Sequence, residues 1–168
     1  MNIVIMVLLA FILDLLIGDP HPWPHPVKAI GRLIAVLTKK FNKPEYSRKK
    51  RKYLGVATWL ITVGGTGLVA YIVMRLAMFN YYLYMIVGTY LSYTCLSARQ
   101  LAIEAEKIMK SLKQGNLKKA RYQVGMIVGR DTENLSAEEV TKATIETVAE
   151  NTSDGVVAPL LFLVIGGP

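Results

Sequence analysis

An all-α fold of the polytopic membrane class, with transmembrane helices and a cytoplasmic helical segment, is predicted by three observations. The chain is 52% apolar across 168 residues while still carrying 19% charge, so its apolar and charged residues must be segregated. Leu54–Met74 runs 21 residues without a charge, and after Arg75 the stretch Leu76–Ala98 gives 23 more. About 20 apolar residues cross a bilayer as a helix. Beyond residue 98, apolar positions recur at helical spacing between recognisable helix starts and stops.

Residues 1–17 are nearly all apolar but short, and they contain Asp14. A steep or partial membrane entry is expected. The segment has neither the basic start nor the small-residue cleavage site of a secretory signal. Pro20, Pro22, Pro24 and Pro26 then forbid a helix. His21 and His25, four apart, are therefore not a helical metal pair, and a rigid extended or polyproline-like turn is expected. That turn should return the chain towards the acidic region described below.

Orientation follows from a basic loop. Lys39, Lys40, Lys43, Arg48, Lys49, Lys50, Arg51 and Lys52 fall within 14 residues, opposed only by Glu45. An excess of Lys and Arg beside a span marks the cytoplasmic side, and such a loop lies on anionic headgroups. Spans are expected at 54–74 and 76–98, which leaves 99–155 in the cytoplasm. A buried soluble hairpin is the alternative. Tyr71, Phe79, Tyr81, Tyr82 and Tyr84 cluster where the two spans meet, as interfacial aromatics do. Gly64, Gly65 and Gly67 either admit a neighbouring helix or merely weaken their own. The net charge of +8 sits beside a span, so it speaks for lipid and not for nucleic acid. Cys95 is alone, which excludes a disulfide framework within one chain.

Three helices are expected next: Arg99–Gln114, stopped by Gly115-Asn116; Leu117–Val128, broken at Gly129; and one from the Ser136/Glu139 capping box to about Glu150. Asn151–Gly155 is expected to end that helix as a polar turn. Val156–Ile165 is apolar but only ten residues long, and reads as the start of a further membrane segment. The expected organisation is a membrane region at 1–98, a cytoplasmic helical segment at 99–155, and a membrane beginning at 156–168.

Chemistry is expected in Met126–Pro159. Seven of the twelve acidic residues lie between Asp131 and Asp154, against the single Lys142. Acids crowded between apolar segments need water or a cationic partner: a multivalent cation, a nucleotide carried with magnesium, or an amine. Glu139, Lys142, Glu146 and Glu150 share one helical stripe, with Arg130-Asp131 before it and Asn151 and Asp154 after it. A solvated face with Lys142 pairing its neighbours is the plain reading, and a site is the other. A transporter lined by Asp14 and the acids, or a non-catalytic membrane subunit, also remains open.

The strings IVGRDT at 127–132, ETVAENTSDGVVAP at 146–159 and DLLIGDPHPWPHPVKAIGRLI at 14–34 together resemble the adenosylcobinamide-phosphate synthase family (CbiB/CobD) of cobalamin biosynthesis. The resemblance implies a multi-pass enzyme of a prokaryotic cell membrane. It joins a carboxylate of adenosylcobyric acid, a corrinoid, to aminopropanol or its phosphate, consuming ATP. A carboxylate must be activated before it reacts with an amine, usually as an acyl phosphate, and that step needs a divalent cation and positive donors. The acids are ligands of the kind Mg²⁺ takes, and Arg130 suits a phosphate. No Walker-type loop is present. Carried over, the catalytic candidates are Glu146, Glu150, Asp154 and His25. Substrate or phosphate binding falls to Arg130, Thr132, Asn151 and Asp19, and metal binding to Asp131, Glu146 and Glu150. Family members continue with further membrane segments, so this chain is expected to be an N-terminal part. Both a fragment and a split enzyme with a second polypeptide stay open.

Overall fold

The computed structural model describes residues 2–19 and 25–168, and all regular structure among them is helical. His21 and the prolines at 20, 22 and 24 lie outside the described residues. In chain order the helices are α1 (Asn2–Ile17), α2 (Pro26–Phe41), α3 (Arg48–Ala77), α4 (Tyr81–Tyr93), α5 (Ala98–Lys113), α6 (Leu117–Gly125), α7 (Ala137–Thr152) and α8 (Ala158–Gly166). A single π turn, Ser153–Val157, joins α7 to α8.

Short polar side chains start four of these helices by accepting otherwise orphaned backbone N–H groups. Ser47 accepts from Lys50 N at 3.3 Å, Asn116 from Lys119 N at 3.0 Å, and Ser136 from Glu139 N at 3.2 Å. Gly115, at φ 71°, takes the left-handed conformation that closes α5.

Two helical runs are long and apolar enough to cross a membrane, each of 30 residues: α3, and the continuous run Ala137–Gly166. The first contains the expected span 54–74. The expected span 76–98 is not one helix. Asn80 interrupts it, its Oδ1 accepting from Tyr82 N at 2.9 Å and Leu83 N at 3.1 Å, so that α3 stops and α4 begins. The 13 residues of α4 rise only about 20 Å, against a hydrocarbon core of about 30 Å. Among the described residues of this chain nothing lies within 4 Å of the Cβ positions of Gly64, Gly65 and Gly67. Close approach occurs instead at Gly88 on α4, whose Cβ would sit 2.5 Å from Met6 Sδ and 3.2 Å from Met74 Cε.

The helix expected to end at Asn151–Gly155 runs on. Pro159 has no N–H to give the carbonyl one turn before it, that of Gly155. Gly155 O accepts from Ser97 instead, from its backbone N at 3.2 Å and its Oγ at 3.3 Å. Helical continuity is restored by the π bond from Ala158 N to Ser153 O. The polar residues at 151–154 therefore sit on a helix surface and not in a turn.

Two apolar clusters result. Val7, Ala10, Tyr93, Leu96 and Leu163 bring α1, α4 and α8 together. Ile108, Ala120, Val124, Val140 and Ala143 bring together α5, α6 and α7. The chain passes between the clusters at two places, the α4–α5 connection and the π turn, and the Ser97–Gly155 bonds tie these two together. Asp14, 1% exposed, completes the junction: its Oδ2 accepts from Ala98 N at 2.8 Å and Arg99 N at 3.4 Å. It caps α5 from 84 residues away, because Ser97 makes no side-chain cap bond to its own helix.

A Cβ at Gly155 would stand 2.5 Å from Ser97 Oγ. Gly155→Ala is expected to destabilise the protein by about 1–3 kcal/mol through overpacking. Ser97→Ala in the same chain should recover part of that loss by removing the clashing hydroxyl. Thermal unfolding in detergent reads both, and additive losses in the double variant would refute the contact.

Candidate functional site

The α6–α7 connection is shaped by bonds local to it. Arg121 Nε donates to Leu135 O at 2.6 Å, and Thr132 Oγ1 donates to Arg121 O at 2.9 Å. Thr132 is 8% exposed, and its Oγ1 would lie 2.8 Å from a Cβ on Gly125. The loop is therefore pinned to the end of α6, and residues 127–130 are held opposite one face of α7. Between them lies a cleft of about 380 Å³, lined by Ile127–Arg130 on one wall and by Glu146, Thr147, Glu150 and Asn151 on the other.

Arg130 Nη2 lies 3.2 Å from Glu146 Oε2, and Lys142 Nζ lies 3.9 Å from the other oxygen of the same carboxylate. Arg130 and Glu146 are 56% and 51% exposed, so the pair is a surface pair worth about 0–1 kcal/mol. Such a pair exchanges readily for a stronger anionic ligand. Glu150, one turn further on, makes no ion pair among the described residues.

Four of the expected site residues thus converge: Arg130, Glu146, Glu150 and Asn151. The others do not line this cleft. Asp131 is exposed, and its Oδ1 accepts from Glu133 N at 3.0 Å in a local turn. Thr132 is committed to the Arg121 carbonyl. Asp154 lies exposed on the π turn. His25 begins α2, its Nδ1 accepting from Val27 N at 3.3 Å, and its Nε2 stands 3.9 Å from Asp19 Oδ1. Asp19 belongs with Gly18 to the end of α1, where the Tyr93 hydroxyl donates to Gly18 O. That loop meets the start of α5, since Arg99 Cγ would lie 2.9 Å from a Cβ on Gly18.

Among the described residues no three His, Cys, Asp or Glu side chains are grouped to hold a metal ion. The expected set of Asp131, Glu146 and Glu150 is not assembled, because Asp131 turns to its own backbone. Two carboxylates beside an arginine do fit a phosphate-bearing ligand with Mg²⁺, which uses one or two carboxylates and keeps several waters. Glu146 and Glu150 would hold the ion and Arg130 the phosphate. Asp14, which the transporter reading places on a cation path, is occupied by the α5 N–H groups. Nothing local in the sequence marks Asp14 as a cap, since its partners lie in a distant helix.

Glu139 is not part of the cleft stripe. It completes the capping box, accepting from Ser136 N at 2.7 Å. That backbone bond, with Ser136's side chain next in effect, holds its carboxyl below the ordinary value of 4.5. Glu139 lies roughly 25 Å along the helix from the apolar Val156–Ile165 stretch.

These features define an all-helical protein whose apolar bundle carries an arginine- and carboxylate-lined cleft beside it. A family model described as CobD/Cbib protein matches residues 7–168. The chain belongs to the CobD/CbiB family. The cobalamin biosynthesis protein CobD of Listeria monocytogenes serotype 4b (strain F2365) is 54% identical over 160 residues, 95% of this chain and 50% of that protein. The CobD of Streptococcus sanguinis (strain SK36) is 49% identical over 166 residues, 98% of this chain and 51% of its own length. The cobalamin biosynthesis protein CbiB of Salmonella arizonae is 40% identical over 160 residues, covering 95% and 50%. The chain spans about half the length of these curated relatives. No solved structure matches.

Two outcomes test the local assignments. Thr132→Val should cost about 1 kcal/mol of stability by removing the hydroxyl bond to Arg121 O, whereas a pure phosphate ligand would leave the unfolding midpoint unchanged. For Glu139 the folded value is depressed, so its contribution is present above about pH 4.5 and is lost as pH falls through the lowered value. Amide exchange over the first turn of α7 should rise in that window relative to the rest of the helix, and Glu139→Gln, which removes the titrating group, should abolish the pH dependence.

Proposed function

We propose that this chain supplies the motif-bearing part of an adenosylcobinamide-phosphate synthase. That enzyme joins adenosylcobyric acid to aminopropanol or its phosphate in an ATP-dependent amide-forming reaction. The cleft carries the proposal. It sets Arg130 of the 127–132 string against Glu146, Glu150 and Asn151 of the 146–159 string. Membership of the CobD/CbiB family supports it.

When bound, ATP with Mg²⁺ supplies the phosphoryl group that activates a carboxylate towards an amine. The chain's own residues bind and orient around that event. Arg130 takes the phosphate oxygens through its planar fork. Glu146, released from Arg130 by a bound phosphate, would be free to hold the cation. Glu150, without an ion pair among the described residues and one turn on, would hold the cation with Glu146, the amine's proton passing to whichever of the two carboxylates the cation leaves free. Asn151 orients the substrate by its amide.

The apolar set α1, α3, α4 and α8 lies in a prokaryotic cell membrane, which α3 crosses and from which α4 returns the chain together with the turns that flank it. The basic residues 39–52 and the α5–α7 cluster face the cytoplasm. The remaining length found in the relatives would come from the same or a second polypeptide.

Complementation tests this reading. The chain is expressed with the other half of a CobD relative in cells lacking their own synthase and fed adenosylcobyric acid without cobinamide. Glu150→Ala should reduce amide formation by on the order of a hundredfold to a thousandfold, as removal of a preorganised polar group from an active site does. The protein should remain in the membrane fraction. Full growth with both Glu150 and Arg130 replaced by Ala would leave the cleft a solvated helix face.

A further inference from the structure

We infer that α2, with the basic start of α3, is a docking surface for the anionic headgroup layer of a bilayer. The inference rests on the membrane reading of α3 and extends it to a helix that is neither a span nor part of the cleft.

The face pattern is the first ground. Val27, Ile30, Ile34, Leu37 and Phe41 recur at three and four residues along α2, while Lys28, Arg32 and Lys39 fall on the opposite side. The apolar face has no protein core to enter. Although α2 packs beside α3, none of its residues is buried, and Val27 and Ile34 on that face are 56% and 42% exposed. Helix α5 is the contrast. It is equally amphipathic and of equal length, and it buries Ile108 in the α5–α7 cluster.

Charge chooses the occupant. Ten of the chain's twenty Lys and Arg residues lie between Lys28 and Lys52, with Glu45 the only acid there. Among the described residues, Arg32, Lys39, Lys40, Lys43 and Arg48–Lys52 make no ion pair with an acid. A protein partner's interface core is depleted in charge, whereas an apolar stripe flanked by cations is the pattern that lies in an anionic lipid surface. Each such cation is attracted to the negative surface potential of anionic lipid. The surface is also continuous with the bilayer. Tyr53 and Trp59, 66% and 61% exposed, open the apolar part of α3 where interfacial aromatics gather.

The test uses the full chain in phosphatidylcholine vesicles, with and without phosphatidylglycerol. Cys95→Ser provides the background for single nitroxide-labelled cysteines at Ile34 on the apolar face, Ala35 on the polar face, and Ile61 within α3. In anionic vesicles the Ile34 label should collide severalfold more with oxygen than with a water-soluble nickel chelate, and the Ala35 label should show the reverse. The contrast should shrink without phosphatidylglycerol, or when Lys39 and Lys40 are both replaced by Glu. With Ile61 lipid-accessible, equal chelate access at Ile34 and Ala35 would overturn the inference. So would an Ile34 label shielded from both reagents, which means a protein cover. Chelate access at Ile61 would instead overturn the membrane reading of α3 itself.

Discussion

The buried carboxylate of Asp14 is the constraint from which the remaining geometry follows. The start of α5 presents N–H groups that need acceptors, because the first turn of any helix leaves them unpaired. Ser97, at the N-cap position, spends its side chain on Gly155 instead. Asp14 fills the deficit from α1, and the positive end of the α5 dipole in turn stabilises the charge that burial would otherwise penalise. Each partner thus offsets part of the other's cost. The result fixes the angle at which one apolar cluster joins the other, and with it the position of α7.

The cleft inherits its shape from that junction and from the α6–α7 loop. α7 is held at its end by Gly155 and along its length by Val140 and Ala143, so the face carrying Glu146, Glu150 and Asn151 has little freedom to turn. The opposite wall is set by the Arg121 and Thr132 bonds. The Thr132 hydroxyl therefore matters to the site through the path of the backbone, which places Arg130. Rigid walls with exchangeable side chains suit the proposed exchange of Glu146 for a phosphate at Arg130.

What the sequence made legible was local. The Ser136/Glu139 capping box and the Gly115 stop each depend on residues a turn apart, and both stand where spacing puts them. The charge-free run at 54–74 likewise falls inside one helix. Asn80 was harder to see, because a single capping residue inside a long apolar run is outweighed by the hydropathy around it. The Asp14 cap and the Ser97–Gly155 bonds join residues 84 and 58 apart, and no window of sequence contains both partners. Asn151–Gly155 looked like a turn because its residues are polar and include a glycine. Its helical state depends on a carbonyl being satisfied from another helix. At the site, the two motif strings located the cleft, but identity alone did not separate Arg130, which lines it, from Asp131 and Thr132, which support the loop.

The π turn gives this chain a rotational phase as well as a bend. In an α-helix each residue advances the surface by about 100°, so a turn holding an extra residue offsets everything downstream from everything upstream. Leu163 of α8 meets Val7 and Ala10 only because that offset is present, while α7 keeps its own facing towards α5 and α6. Segment length at 153–157 is thus fixed more strictly than its side chains. Substitutions at the exposed positions there change chemistry locally, but loss or gain of one residue would swing α8 off α1 while leaving the cleft-bearing helix where it stands.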